Sequence, residues 1–109
     1  MHELGITQDV VALACERAGA RRVKRVALEI GKLTAVMPDA IRFCFDLCTE
    51  GTPLEGALLE IREIAGRGEC AACGRQMDLT LSFGRCSCGS DQVRCVAGEE
   101  LRIKEIEVF

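Results

Sequence analysis

Apolar residues recur at helical spacing in two stretches of the chain. The first stretch ends at Gly19, a residue that readily takes the left-handed conformation which closes a helix. The second begins at Pro38, whose missing N–H costs nothing in the first turn of a helix, and it ends near Gly51. The two apolar stripes are Ile6, Val10, Leu13 and Ala14 in the first helix, and Ile41, Cys44, Phe45 and Cys48 in the second.

Three other stretches alternate between apolar and polar residues, which is typical of half-buried strands. They cover residues 22–30, 58–64 and 101–108. The second and third of these change parity partway along, and we interpret this as two paired strands that share a β-bulge. The predicted fold class is α+β, with two helices packed on a small, mainly antiparallel three-stranded sheet.

The segment 67–97 differs from the rest because its apolar periodicity stops while its Cys and Gly content rises. We therefore predict an α+β domain formed by residues 1–66 and 98–109, with residues 67–97 inserted as a metal-binding hairpin lobe. In a chain without a secretion signal, clustered thiols favour metal binding over disulfides. Five of the eight cysteines lie in this lobe: Cys70, Cys73, Cys86, Cys88 and Cys95.

The spacing of the lobe cysteines is typical of a zinc site. Two residues separate Cys70 from Cys73, which lets both sulfurs reach one tetrahedral ion. Cys88 is a third ligand, and the fourth is Cys86 or, as the alternative, Cys95, since a C-x-C pair is a poorer chelate. Four thiolates would close the site, so the zinc is predicted to be structural, contributing roughly 10 kcal/mol or more to folding. A pair of redox-active thiols is the competing hypothesis.

The amino terminus carries the only histidine, His2. The amine of Met1 together with the deprotonated amide and the imidazole of His2 can close adjacent five- and six-membered chelate rings around one ion. Such a planar nitrogen site suits Ni(II) or Cu(II), and the amide or carboxylate of Glu3 can add a donor. A lone histidine is also often an ordinary surface residue, so the spacing alone leaves both interpretations open.

Composition excludes several classes of function. A net charge of −3 offers no broad cationic surface for nucleic acid, and Phe83 is the only aromatic residue of the lobe available to stack on bases. No apolar run approaches the length of a membrane helix, and we expect a cytoplasmic protein. The chain shows no acid–base pair, nucleophile elbow or phosphate-binding loop, so we expect no enzyme. A zinc-ribbon protein- or nucleic-acid-interaction module remains the alternative.

Several motifs together resemble the HypA/HybF family, the nickel-insertion accessory proteins of [NiFe]-hydrogenase maturation. The resemblance covers essentially the whole chain in the same order. It rests on the opening MHEL, on VALEIGKL at 26–33, on the C-x-x-C and Cys-Gly-Ser of the lobe, and on the closing GEELRIKEIEV at 98–108.

The resemblance implies a nickel metallochaperone that collects Ni(II) as transient cargo at Met1, His2 and Glu3, with His2 as the essential ligand. It also implies structural Zn(II) in the lobe. The implied partners are a GTP-hydrolysing nickel accessory protein and the hydrogenase large-subunit precursor, and the chain is expected to be a monomer or homodimer. The family's lobe has two C-x-x-C pairs, whereas here Arg85 stands where the third Cys would fall and Cys86 is shifted by one position.

Overall fold

The computed structural model describes residues 2–109, and within that range it contains two helices and two three-stranded sheets. The α+β class and both helices predicted from the sequence are confirmed. None of the helices in residues 2–109 is long and apolar enough to cross a membrane. In chain order the elements are α1 (Glu3–Ala18), β1 (Val23–Gly31), α2 (Pro38–Cys48), β2 (Leu58–Ile64), β3 (Gly66–Cys70), β4 (Gln76–Leu79), β5 (Val93–Ala97) and β6 (Leu101–Val108).

The ends of the helices follow local hydrogen bonds. Helix α1 starts where the carbonyl of His2 accepts the N–H of Ile6, and it ends at Ala18, followed by Gly19 as a cap in the left-handed conformation. Helix α2 starts at Pro38 as predicted but ends at Cys48, before the predicted stop at Gly51. Thr49 is the C-terminal cap, and its N–H and hydroxyl both donate to the carbonyl of Phe45.

The buried face of α1 differs from the predicted apolar stripe. Leu13 is 40 % exposed, whereas Thr7 is fully buried. Thr7 can occupy the core because its hydroxyl donates to the carbonyl of Glu3 at 2.7 Å, so no polar group is left unpaired. This turns the buried face by about one residue from the predicted stripe. The buried residues of α1 are Thr7, Val11, Ala14 and Ala18.

The first sheet has the strand order β2-β1-β6. The prediction that the second and last strands of this sheet pair with each other is therefore wrong. Strand β1 lies between them and is the most buried of the three, with Val26, Leu28 and Ile30 at most 2 % exposed. Ion pairs across the sheet show that β1 and β6 run in opposite directions and that β1 and β2 run in the same direction, so this sheet is mixed. These pairs are Arg25–Glu105, Glu29–Arg102, Arg25–Glu60 and Glu29–Arg62.

The second sheet has the order β4-β3-β5 and is antiparallel throughout. The sequence pattern does not predict its strands. Its central strand β3 contains Gly66 and Gly68, so it lacks the apolar alternation that reveals a strand. The neighbouring strands β4 and β5 lie too close for a side chain at these glycines. A Cβ on Gly66 would lie 2.3 Å from the carbonyl oxygen of Leu79, and one on Gly68 would lie 2.8 Å from a methyl group of Val93.

The chain divides into two compact units, each discontinuous in sequence. The first comprises Met1–Glu29, Val36–Arg62 and Arg102–Phe109, and the second comprises Ile30–Ala35 and Glu63–Leu101. The predicted insert, residues 67–97, lies entirely within the second unit. That unit also includes residues 30–35, which the sequence-based division placed with the helices.

Candidate metal centre

Four cysteine side chains of the second unit converge on one point. The Sγ atoms of Cys70, Cys73, Cys86 and Cys88 all lie within 4.8 Å of one another. The Sγ atoms of Cys70 and Cys88 are 3.7 Å apart, and those of Cys73 and Cys86 are 3.6 Å apart. A tetrahedral ion with Zn–S bonds of about 2.3 Å needs sulfurs about 3.8 Å apart. The four thiols therefore fit a single tetrahedral ion.

Two tight turns bring these cysteines together. In the first turn, the N–H of Gly74 donates to the carbonyl of Cys70 at 2.8 Å, four residues back. In the second, the N–H of Gly89 donates to the carbonyl of Cys86 at 2.9 Å, three residues back. Both glycines have positive φ, at 77° and 96° respectively. The second turn is one residue shorter, and this shorter turn allows a C-x-C pair to present both of its sulfurs.

The metal centre is half enclosed. Cys70 and Cys86 are buried, at 1 % and 3 % exposed, whereas Cys73 and Cys88 are exposed. Each buried thiol belongs to a different turn, so both turns contribute one inner and one outer sulfur. This arrangement leaves the outer pair open to solvent.

Backbone N–H groups favour the thiolate form of the inner cysteines. The N–H of Cys73 is the largest of several contributions that lower the pKa of Cys70 to about 6. The N–H of Cys88 likewise lowers the pKa of Cys86. For Cys73 the N–H of Arg75 also lowers the pKa, but the thiol of Cys86, burial and the other sulfurs outweigh it and raise the pKa to about 11. A cation at this centre would displace the remaining protons.

Cys95, the alternative fourth ligand, lies outside the cluster. Its Sγ contacts the carbonyl oxygen of Ala97 at 3.2 Å, and burial followed by the carboxylate of Glu99 raises the pKa of its thiol. Cys44 and Cys48, which belong to the predicted apolar stripe of α2, are only half-buried, and so is Cys15. Within residues 2–109, Cys70, Cys73, Cys86 and Cys88 are the only group of three or more potential ligand side chains close enough to share an ion.

The amino-terminal candidates lie at the start of α1. His2 is exposed, precedes the first helical residue and makes no side-chain capping bond. Glu3 is the first helical residue, and its carboxylate accepts the N–H of Met37 at 3.1 Å, which is the main cause of its lowered pKa. Met1 lies outside the described residues. The structure thus places two of the three predicted nickel ligands side by side at one helix end.

Two neighbours of Glu3 were not predicted from the sequence. The contact with Met37 joins positions 34 residues apart and has no local sequence signal. The contact with Thr7 had one, because a threonine four residues after Glu3 can return its hydroxyl to that residue's carbonyl.

Comparisons with known proteins agree with one another. Residues 1–108 match the family described as hydrogenase/urease nickel incorporation, metallochaperone, hypA. The chain is 61 % identical over 108 residues to the hydrogenase maturation factor HypA of Nostoc punctiforme, covering 99 % of this chain and 96 % of the relative. It is 53 % identical over 109 residues to that of Geobacter metallireducens, covering 99 % of each. The solution structure of the Ni metallochaperone HypA from Helicobacter pylori superposes with a TM-score of 0.73 at 27 % identity, covering 100 % of this chain and 98 % of that one.

Proposed function

Since the chain belongs to the HypA family of nickel-incorporation metallochaperones, we propose that it binds Ni(II) at its amino terminus and delivers it for assembly of the [NiFe]-hydrogenase active site. The proposed ligands are Met1, His2 and Glu3. A metallochaperone carries its metal and releases it, so the proposed activity is transfer without catalytic turnover. The family description also names urease, which makes a urease precursor the second candidate recipient.

The position of His2 is the observation that carries the nickel proposal. Its side chain is exposed at the start of α1 and has no capping role, so the imidazole is available to an ion. Helix geometry also leaves the first backbone N–H groups of α1 without acceptors four residues earlier. Once they release their protons to solvent, these amide nitrogens join the imidazole as donors of the kind that planar Ni(II) prefers. An exposed site further suits a carrier, because the cargo can enter and leave.

We assign the four-cysteine centre to structural Zn(II). Four thiolates suit zinc, and a site closed by protein ligands leaves no position for a substrate. The proposed ligands are Cys70, Cys73, Cys86 and Cys88. The zinc-ribbon alternative loses support because the family match extends over residues 1–108 and not over the lobe alone.

Membership of a hydrogenase maturation family implies interaction with other maturation proteins. We propose a GTP-hydrolysing nickel accessory protein and the hydrogenase large-subunit precursor as partners, with the chain acting as a monomer or homodimer. Neither a nucleic acid nor a membrane is part of the proposal. The cytoplasm is the proposed compartment, since eight thiols without disulfides suit a reducing environment.

Metal content of untagged protein tests the nickel proposal. Zinc and nickel are counted separately after equilibrium dialysis for the wild type, for His2→Ala and for Asp9→Ala, which removes an exposed side chain farther along α1. We expect His2→Ala to keep its zinc and to lose its nickel, whereas Asp9→Ala keeps both. Stoichiometric nickel on His2→Ala would rule out the amino-terminal site.

The same measurement separates the two choices for the fourth zinc ligand. We expect Cys86→Ser to lose zinc and Cys95→Ser to retain it. The two substitutions remove the same atom from the same lobe, so each serves as the control for the other. Zinc retained by Cys86→Ser and lost by Cys95→Ser would show that the proposed ligand set is wrong.

A further inference from the structure

Glu3 offers a metal two different donors, its backbone amide and its carboxylate. The carboxylate already has a partner, because one of its oxygens accepts the N–H of Met37 at 3.1 Å. Both residues belong to the first compact unit. The question is therefore which of these donors the amino-terminal site can use.

The hydrogen bond from Met37 to Glu3 is exposed to solvent and lies at the start of α2. Met37 is the residue just before α2, and its carbonyl starts that helix by accepting the N–H groups of Ala40 and Ile41. Its own N–H points away from the helix ladder, and the next residue, Pro38, has no N–H to share the role. The carboxylate of Glu3 therefore fixes the residue from which α2 begins.

The backbone of Glu3 is held from the other side by Thr7. The hydroxyl of Thr7, which is fully buried, donates to the carbonyl of Glu3 at 2.7 Å. Because a buried threonine has little freedom, it holds the first turn of α1 in place. A chain of contacts thus runs from the core through Thr7 and Glu3 to Met37, and it joins the starting turns of both helices.

Chelate geometry disfavours moving the carboxylate to a nickel ion. The carboxylate of Glu3 would close a ring of about ten atoms with the amide of His2, or of about seven with its own amide. Both cost more closure entropy than the five- and six-membered rings available to Met1 and His2. Moving it would also leave the N–H of Met37 without its acceptor.

We propose that Glu3 is a positioning residue of the nickel site, whose carboxylate stays on Met37 and holds the first turn of α1 against the start of α2. The nickel part of this inference rests on the proposed function. Nickel is held by nitrogen donors, and the coordination position that the carboxylate does not take is left for a ligand from the recipient protein. Of the two donors of Glu3, only the backbone amide is left for the ion, and the side chain acts on the cargo through the placement of His2.

Two substitutions at the same position distinguish positioning from ligation. Glu3→Gln keeps an acceptor oxygen at the same reach but removes the negative charge that a carboxylate ligand needs. Glu3→Ala removes both. We expect Glu3→Gln to bind nickel with wild-type affinity and Glu3→Ala to bind it more weakly, as measured by titration of the untagged, zinc-loaded protein. Zinc content verifies that each variant is folded.

Amide hydrogen exchange at Met37, resolved to the single residue by mass spectrometry, reports the contact directly. A change at position 3 does not alter the intrinsic exchange rate at position 37. In nickel-free protein we expect exchange at Met37 to be roughly fivefold faster in Glu3→Ala than in the wild type or Glu3→Gln, as for the loss of one hydrogen bond. Added nickel should leave the slow exchange of the wild type unchanged.

Several results would overturn the inference. In the exchange experiment they are equal exchange at Met37 in the wild type and Glu3→Ala, or fast exchange at Met37 once nickel is bound. In the nickel titration they are loss of nickel binding by Glu3→Gln, or undiminished nickel binding by Glu3→Ala. Failure of the proposed function is a separate outcome. It would appear as nickel retained by His2→Ala, whereas the exchange of Met37 in nickel-free protein tests the contact whether or not nickel binds.

Discussion

Glu29 is a charged residue on the central strand β1, and only 7 % of its side chain is exposed. A buried carboxylate is costly unless it is paired. Here the guanidinium of Arg102 donates to it at 2.7 Å and that of Arg62 lies 3.8 Å away. The hydrogen bond from Arg102 is the main reason why the pKa of Glu29 is lowered, and it outweighs the burial that would raise it.

This lowered pKa predicts a pH-dependent contribution to stability. A carboxyl whose pKa is lower in the folded state stabilises the fold above its unfolded-state pKa, which is about 4.3, and loses that effect as the pH falls through the folded-state value. We expect Glu29→Gln to be less stable than the wild type at pH 7, with the difference shrinking below about pH 4. Urea unfolding at several pH values measures this. Glu16→Gln, an exposed carboxylate on α1, is the control, and a difference independent of pH would contradict the prediction.

At the scale of elements, α2 carries two phenylalanines on opposite faces, and they differ in their exposure to solvent. Phe45 is 2 % exposed and Phe43 is 61 % exposed, although they are two residues apart. Helical periodicity explains the contrast, because a step of two residues turns the side chain by about 200°. The apolar stripe read from the sequence placed Phe45, together with Ile41, in the core, and both are buried.

Truncating these two side chains tests how α2 is anchored. We expect Phe45→Ala to lower the free energy of unfolding by about 3–5 kcal/mol, since it leaves a cavity in the core. The matched variant Phe43→Ala should change it by no more than about 0.5 kcal/mol, as for an exposed position. Denaturant unfolding of the zinc-loaded protein gives both values. Similar losses from the two variants would mean that α2 does not pack as described.

At the scale of the whole molecule, the two units have unequal apolar cores. The second unit contains Ile30, Cys70, Leu79 and Cys86 as its buried apolar residues, and two of these are the inner thiols of the metal centre. The corresponding set in the first unit is Val11, Ala14, Ala18, Val23, Val26, Leu28, Val36, Ile41, Phe45, Leu54 and Ile103. The second unit is therefore the one that needs an ion to stabilise its fold.

Removal of the proposed zinc should affect the two units differently. After treatment with a strong chelator we expect the backbone amides of β3 and β5 to lose protection from hydrogen exchange, because the turns that hold them depend on the ion. Amides in the middle of α1 should stay protected by their apolar core. Re-addition of zinc provides the control for reversibility. Protected amides in β3 and β5 after complete zinc removal would show that the second sheet is stable by itself.

The sequence alone determined the features that depend on neighbours along the chain. Helical periodicity located both helices, and alternation located β1, β2 and β6, because burial of one face imposes these periods locally. The C-x-x-C-G turn indicated a metal centre for the same reason, since the chelate geometry lies within five residues. The family resemblance noted in several motifs is confirmed by the match over residues 1–108.

Only the tertiary structure decided what depends on residues far apart in sequence. The order of the first sheet contradicts the pairing inferred from parity, because parity carries no information about which strand lies between two others. The second sheet was hidden by the glycines of β3, which are required by the close approach of its neighbours. The convergence of Cys86, and not Cys95, on the cluster and the contact between Glu3 and Met37 likewise arise from chain folding. These contacts join residues that are far apart in sequence, so the local pattern of apolar and polar residues contains no information about them.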